Sequence, residues 1–262
     1  MENKLKTKML KGETTLGTFH ELGSASAIEC LGYAGLDYVI IDSEHGPFSA
    51  ESIQSYVRAA KIGEITPLVR VNGERNSILK MLDAGAMGLI IPNIHTVDEV
   101  KEVIKGSKYY PIGERGVAPT SGNSFWYADY TTRGLDHFFK VSNRETLIIP
   151  QCETLGCLEN IEEIVNLVGV DGIFIGPYDL STALGKPGQF EDQEVKKAIQ
   201  KVLDACKSAN KFSFIYAGSV ADIREKFDLG FHSVAYGMDA IVLAEAFKDV
   251  VNNVNSKEQE SK

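Results

Sequence analysis

Eight times along this chain a short β-rich run gives way to a segment of helical period, and no other feature narrows the fold as far. The strand candidates are Thr15–Phe19, Asp37–Ile41, Thr66–Arg70, Gly88–Ile91, Thr146–Gln151, Gly172–Ile175, Phe212–Tyr216 and Ser233–Tyr236. Several are almost purely apolar (YVII, GLII, GIFI), the pattern of parallel strands covered on both faces. The helix candidates are Ala25–Tyr33, Ala50–Lys61, Ser77–Ala84, Val97–Lys105, Asn160–Val168, Glu194–Ala209, Val220–Leu229 and Ala240–Val251. Ser49 offers an N-cap, and Gly85 and Gly230 stand just past helix ends, where a left-handed cap favours glycine. Four helix-to-strand joints echo one another (AGLDYVII, AGAMGLII, VGVDGIFI, LGFHSVAY), each with a Gly just before the strand. Eight such units in 262 residues fit a closed (β/α)8 TIM barrel better than an open doubly wound sheet. We expect one domain over residues 1–252 and a polar, frayed tail over 253–262.

Lys108–Ser142 breaks the alternation. It is too long for an ordinary connection, and its Trp126, Tyr127, Tyr130, Phe138 and Phe139 argue for an ordered lid or interface element. Composition excludes other classes. No apolar run is long enough for a membrane span, and the N-terminal MENKLKTK lacks the apolar stretch of a secretory leader. Acidic residues outnumber basic ones 36 to 27, and the Lys and Arg are scattered, which argues against nucleic acid as a partner. Cys30, Cys152, Cys157 and Cys206 lack the spacing of a zinc site and read as reduced thiols of a cytoplasmic protein.

In a barrel the chemistry sits where strands end. Strand one yields His20, strand two Asp42-Ser-Glu-His45, strand three Arg70 and strand four Pro92-Asn93. Strand five yields Gln151-Cys-Glu153, strand six Gly176-Pro-Tyr-Asp179 and strand eight Gly237-Met-Asp239. Charge therefore crowds one rim. Glu153 and Asp179 end adjacent strands, and two carboxylates with open positions suit a hard ion such as Mg²⁺ or Mn²⁺. The alternative is a pair of solvated loop acids. His45 reads either as a general base whose tautomer Asp42 fixes, or as a hydrogen-bonded surface residue. Arg70 ends an apolar strand, so its guanidinium needs a carboxylate or a bound anion. Asp83, in KMLDAG, reads alone as a surface acid at a helix end. The chain has no G-x-G-x-x-G after its first strand and no Walker A sequence, so no nucleotide is expected. No strand carries a Lys, and Lys211 precedes the seventh at its wrong end, which disfavours a Schiff base. No G-x-S-x-G elbow appears.

The stretches DYVIIDSEHGPFS, PLVRVN, MLDAGAMGLIIPN, GERGVAP, IPQCET and VDGIFIGPYDLSTALG resemble the metal-dependent (class II) 2-oxo-acid aldolases of the HpcH/HpaI type. These include the 4-hydroxy-2-oxoheptanedioate and 2-dehydro-3-deoxyglucarate aldolases. The resemblance implies a lyase that cleaves a 4-hydroxy-2-oxo acid to pyruvate and an aldehyde, of the kind used in aromatic compound catabolism. It implies Glu153 and Asp179 as ligands of Mg²⁺, Mn²⁺ or Co²⁺, with Gln151 and the backbone around Gly176, Pro177, Tyr178 and Asp179 holding the pyruvate moiety. It further implies His45 as acid/base, hydrogen-bonded by Asp83 with Asp42 close by, and Arg70 stabilising the enolate. A homo-oligomer, a hexamer or trimer of dimers built by exchange of the C-terminal helix, belongs to the same implication. The apolar AIVLAEAFKDVV equally fits packing on its own barrel.

This chain departs from the pattern at Phe19, where relatives often carry Trp, and at Cys152, in the variable slot of Q-x-E-T. After GERGV it continues PTSGNSFW, whose aromatic content we expect to bear on the aldehyde pocket. Two competing readings are a citramalyl- or malyl-CoA-type lyase, which needs a basic groove that the rim sequences lack, and a catalytically inactive barrel scaffold.

Overall fold

The computed structural model describes residues 1–259. Eight parallel strands, β1 (Thr15–His20), β2 (Tyr38–Asp42), β3 (Thr66–Arg70), β4 (Gly88–Ile91), β5 (Leu147–Cys152), β6 (Gly172–Ile175), β7 (Phe212–Ala217) and β8 (Ser233–Met238), close in chain order into a barrel. All the expected strands are present, with ends shifted by one or two residues. Helices α2 (Ala25–Tyr33), α3 (Ala50–Ile62), α4 (Arg75–Ala84), α5 (Val97–Ser107), α11 (Gln193–Ser208) and α12 (Val220–Leu229) return the chain from the top of one strand to the bottom of the next. The Ser49 side chain caps α3 by accepting from the Ser52 N–H, and Gly85 and Gly230 end α4 and α12 at φ 109° and 96°. The helix expected over Asn160–Val168 is α9 (Ile161–Asn166), and a short unexpected helix, α8 (Leu155–Glu159), precedes it.

Strand period two sorts the core into two layers. Phe19, Tyr38, Ile40, Leu68, Ile90, Leu147, Ile149, Phe174 and Phe214 fill the barrel interior. Val39, Ile41, Val69, Leu89, Ile91, Ile148, Ile173 and Ile175 face the helices. Gly17 belongs to the inner layer because a Cβ there would lie 2.5 Å from the Tyr38 ring. The bottom is plugged by α1 (Lys4–Leu10), whose Leu5 and Met9 join the interior cluster. This helix is unannounced by periodicity, having only a short turn to display it. Asn3 fixes it: its side chain accepts from Lys6 N–H and donates to the carbonyls of Glu145 (2.8 Å) and Met87 (3.1 Å).

Lys108–Ser142 corrects an expectation. It holds a 3₁₀ turn (Ser121–Trp126), α6 (Asp129–Thr132) and most of α7 (Leu135–Glu145), and α7 buries Phe138 and Val141. Because the segment joins a helix to the strand that follows, it lies at the bottom of the barrel. There Gly122 packs on the carbonyls of Leu82 and Asp83. It is therefore no lid over the rim of its own barrel, and PTSGNSFW does not line an aldehyde pocket there. The aromatic residues do order it: the Tyr109 and Phe139 rings stack at 4.7 Å.

The C-terminus brings a second correction. Instead of fraying at 252, α13 (Asp239–Gln259) continues across the expected tail; residues 260–262 lie outside the described residues. The helix does not pack along its own barrel, since Ile241, Val242, Leu243, Phe247, Val250, Val251 and Val254 are all exposed. Among the described residues no helix is long and apolar enough to cross a membrane.

Candidate active site

The inner file of each strand changes from apolar to polar at the top. On β2 it runs Tyr38, Ile40, Asp42, and on β3 Leu68, Arg70; the strand register sets Asp42 beside Arg70. Asp42 is fully buried and Arg70 nearly so. Arg70 Nε donates to Asp42 Oδ1 at 2.9 Å and Nη2 to Oδ2, a bidentate clamp, with Glu44 Oε2 3.3 Å from Nε. The guanidinium lies 4.9 Å from the centre of the Phe19 ring. Burial alone would raise the Asp42 pKa, but Arg70's hydrogen bonds and charge outweigh it and hold the carboxyl below its usual range. Burial would likewise depress Arg70, and Asp42 reverses that, so the pair is doubly ionised. This is the carboxylate partner that an Arg ending an apolar strand requires.

One residue past β1, Glu21 continues the inner file of Gly17 and Phe19, within the field of Asp42 and Arg70. Burial, then Asp42, push its pKa up to about 7. Its backbone N–H donates to Asp239 Oδ1 at 2.8 Å, while Asp239 Oδ2 lies 2.6 Å from His20 Nδ1. His20 itself points outward between Phe48 and Tyr56, buried and away from the site. Sequence reading took His20 as the first strand's contribution and missed Glu21. The signal was available in the parity of Phe19.

On β5 the inner file ends Ile149, Gln151, Glu153. Glu153 is buried, accepts the Asn93 N–H at 2.6 Å through Oε1, and accepts Gln151 Nε2 through Oε2. Asn93 adopts φ 55°, a conformation that Asn tolerates, to aim that N–H. Burial raises the Glu153 pKa against these two donors, and the charges of Asp179 and Glu44 add to the rise. Gly176 tops β6 because a Cβ there would stand 2.9 Å from Glu153 Oε2 and 3.0 Å from Gln151 Nε2. Pro177 starts α10 (Pro177–Ala183), which carries exposed Tyr178 and Asp179 in its first turn.

The remaining expected residues fall differently. His45 stands on the rim loop after β2, mostly exposed, with Nε2 3.9 Å from Glu44 Oε2. Asp42 does not orient it, being committed to Arg70. Asp83 does not reach it within this chain: α4 runs antiparallel to the strands and carries Asp83 to the bottom, where it accepts from Arg115 Nη2 at 2.8 Å. The expected Asp83–His45 contact is thus not made within one chain. Among the described residues no group of three or more His, Cys, Asp or Glu side chains is set to hold a metal ion. A two-carboxylate site nevertheless fits a hard divalent cation. Glu153 is a buried carboxylate whose hydrogen-bond donors are both neutral, the charge of Asp179 reaches it, and Gln151 Oε1 is buried with no partner.

Comparison with known proteins matches residues 15–246 to the family model of HpcH/HpaI aldolase/citrate lyase. The chain belongs to that family. It is 31% identical over 249 residues to a hydroxypyruvate/pyruvate aldolase of Roseobacter denitrificans, spanning 95% of both chains. It is 31% identical over 247 residues to a 4-hydroxy-2-oxo-heptane-1,7-dioate aldolase of Shigella sonnei, covering 94% of this chain and 92% of the relative. A solved HpcH/HpaI aldolase/citrate lyase family protein from Burkholderia cenocepacia superposes with a TM-score of 0.88 at 30% identity, over 97% of this chain and 99% of that one. The chain is accordingly an enzyme, a lyase of the aldolase type.

Proposed function

We propose that this family member is a divalent-metal-dependent aldolase that reversibly cleaves a 4-hydroxy-2-oxo acid to pyruvate, or a substituted analogue, and an aldehyde. The observation that carries the reading is the pairing of a buried Asp42–Arg70 clamp with the Glu153–Gln151–Gly176 corner on one rim. The names of the relatives supply the substrate class.

Glu153 and Asp179 would hold the ion, Mg²⁺ or Mn²⁺ with Co²⁺ as a further option. Bound there, a divalent ion supplies Lewis-acid polarisation of a chelating 2-oxo acid. Gln151 and Gly176 shape the floor on which the pyruvate moiety rests. The Tyr178 and Asp179 amides, in the first turn of α10, lack intrahelical acceptors, so they suit its carboxylate. A base then takes the proton of the C4 hydroxyl and the C3–C4 bond breaks. Its electron pair delocalises onto the C2 oxygen, and C3 is finally protonated to give pyruvate. Arg70 sets a fixed positive charge where that oxygen becomes negative, a stabilisation of about 3 kcal/mol for comparable donors. His45, on the rim loop and free of Asp42, is our candidate for the hydroxyl proton.

The exposed apolar side chains of α13 support assembly into a homo-oligomer through that helix. Four free cysteines, three of them buried, suit a reducing cytoplasm.

The test is pyruvate release from a panel of 4-hydroxy-2-oxo acids, made by pairing pyruvate with succinic semialdehyde, glycolaldehyde and longer sugar aldehydes. EDTA should abolish it and Mn²⁺ or Mg²⁺ restore it. Full turnover in EDTA removes the metal. Cleavage of citramalyl- or malyl-CoA in place of every panel member replaces the aldolase reading with the thioester one.

A further inference from the structure

From Arg70 a run of aromatic contacts leads out of the site. The guanidinium lies 4.9 Å from the centre of the Phe19 ring, and Phe19 meets Tyr216 at 6.3 Å. Tyr216 meets Tyr178 edge-on at 5.8 Å, and Tyr178 meets Phe190 edge-on at 4.9 Å. The middle of the run belongs to the rim. Tyr216 continues the inner file of Phe212 and Phe214 at the top of β7, and Tyr178 stands in the first turn of α10, among the amides that suit the pyruvate carboxylate. The far end borders a cavity of about 760 Å³ between α11 and α12. Pro177, Tyr178, Phe190 and Tyr216 line its upper part, and buried Ile215 and Phe231 line it deeper in. A space of this size accommodates a small organic molecule.

We propose that the aldehyde-derived end of the substrate lies along this run of rings toward the cavity, so that the enzyme selects uncharged aldehydes with an extended apolar or aromatic body, and that Tyr216 and Tyr178 are the side chains that make the selection. This inference rests on the aldolase reading and names the aldehyde class within it. Ring faces and edges reward an apolar or aromatic chain by area and quadrupole contact, and they offer no countercharge. The cations nearby are already matched. Arg70 is bound by Asp42, with Glu44 beside it. Along the cavity, lysines and acids are equal in number, Lys196 being paired with Glu191 at 2.5 Å and Lys226 with Asp222 at 3.1 Å. Burial, then the neighbouring tyrosines and acids, push the Tyr216 phenol up, so it meets the substrate neutral. A carboxylate at the end of the aldehyde would therefore shed water without gaining a partner, and the hydroxyls of a sugar aldehyde would shed theirs against ring carbons.

The test is kcat/KM for condensation of pyruvate with chosen aldehydes by the Mn²⁺-loaded full-length enzyme. In each case C3 of pyruvate gives up a proton and bonds to the aldehyde carbon, whose oxygen takes a proton and becomes the 4-hydroxyl. The aldehydes are 3-phenylpropanal, glycolaldehyde, succinic semialdehyde and the methyl ester of succinic semialdehyde, which removes the charge and keeps the chain. We expect 3-phenylpropanal to be the best of the four, and the ester to exceed the free acid by about tenfold or more. Tyr216→Ala should lower the ratio of 3-phenylpropanal to glycolaldehyde about tenfold, as loss of an aromatic contact does. Tyr216→Phe should keep the ratio, since the ring and not the hydroxyl makes the contact. Damage to the barrel would slow both aldehydes and cancel in the ratio. Phe190→Ala, on the connection between α10 and α11, probes the far end of the run and should lower the same ratio. A preference for succinic semialdehyde over its ester, or a ratio unmoved by both Tyr216→Ala and Phe190→Ala, overturns the proposal. Turnover of glycolaldehyde with indifference to the longer chains overturns it too and leaves the aldolase reading standing. Silence with every aldehyde removes the aldolase reading and this inference with it.

Discussion

Replacing Arg70 by Met separates what the guanidinium does for the fold from what it does for the reaction. Met is close in length, unbranched, and its sulfur can rest on the Phe19 ring that the guanidinium now covers, a contact of about 0.3–1.5 kcal/mol. Asp42, fully buried, would lose the Nε bond of 2.9 Å and the Nη2 bond, and retain the Glu44 N–H at 3.1 Å. Two charge-assisted bonds of about 1.5–3 kcal/mol each, less the thioether contact, give a loss near the roughly 3–5 kcal/mol expected for breaking a buried ion pair. That is a large part of the roughly 5–15 kcal/mol that holds a domain together. The loss must also depend on pH. With Arg70 gone, burial pushes Asp42 up instead of down, so the variant's deficit grows as pH rises and shrinks as the stranded carboxyl takes a proton.

The companion variant is Asp42→Asn with Arg70→Met. Asn is neutral and keeps an oxygen for the Glu44 N–H, so urea unfolding followed by circular dichroism at fixed protein concentration should recover all but about 1 kcal/mol. Turnover should not recover. Both proteins should lie about 10²–10³-fold below the parent in kcat, because the lost positive charge acts where the C2 oxygen becomes negative. A loss of under about 1 kcal/mol in Arg70→Met would refute the claim that the pair is desolvated. Recovery of kcat in the double variant would show that Arg70 serves only to neutralise Asp42.

Gly176→Ala should leave the fold intact but raise the Mn²⁺ concentration needed for half-maximal activity by tenfold or more, on the order of 1.4 kcal/mol of binding, because its methyl would stand 2.9 Å from Glu153 Oε2; an unchanged metal requirement would detach Glu153 from the ion. Thiol titration at mildly alkaline pH should label Cys30 quickly and leave the other three until denaturation, since Cys30 is exposed while burial pushes Cys206 up to about 12 and the thiol's hydrogen bond to Cys157, then burial, push Cys152 up; four fast thiols would contradict the packing. Phe247→Asp with Leu243→Asp, on exposed positions of α13, should lower the oligomeric state seen by light scattering without disturbing the barrel's circular dichroism; an unchanged mass would move the interface elsewhere.

The barrel was legible in the sequence because parallel strands buried on both faces leave contiguous apolar runs, and eight of these, four led in by a glycine joint, admit few closures. What escaped was short or built on context. In α1 only Leu5 and Met9 of seven residues are buried, so the helix has almost no period to read. In α7 the apolar face was hidden inside a stretch that composition marks as a loop. The detachment of α13 is invisible in AIVLAEAFKDVV, because an apolar face says that something covers it and not what. Asp83 is a case apart: the resemblance pairs it with His45, while within one chain the direction of α4 carries it to the bottom of the barrel, where it pairs with Arg115.

The site residues divide by how they are carried, and the division explains which were readable. Asp42, Arg70, Gln151 and Glu153 extend the inner files that begin with Tyr38, Leu68 and Leu147, so counting by two from a buried apolar residue finds each of them. The same count from Phe19 reaches Glu21, and from Phe174 reaches Gly176, where the file needs an absence of side chain. His45, Tyr178 and Asp179 lie beyond the strands on connecting segments, and they are the exposed members of the set. The buried members are locked by one another: Arg70 by Asp42, Glu153 by Gln151 and Asn93. Fixed charge therefore comes from the strand files, where its geometry cannot relax toward solvent, and this is what stabilising a developing negative charge demands. The exposed members are those proposed to meet what comes and goes, Asp179 the ion and His45 the proton of the C4 hydroxyl, so substitutions of these two side chains should lower carbon–carbon cleavage itself.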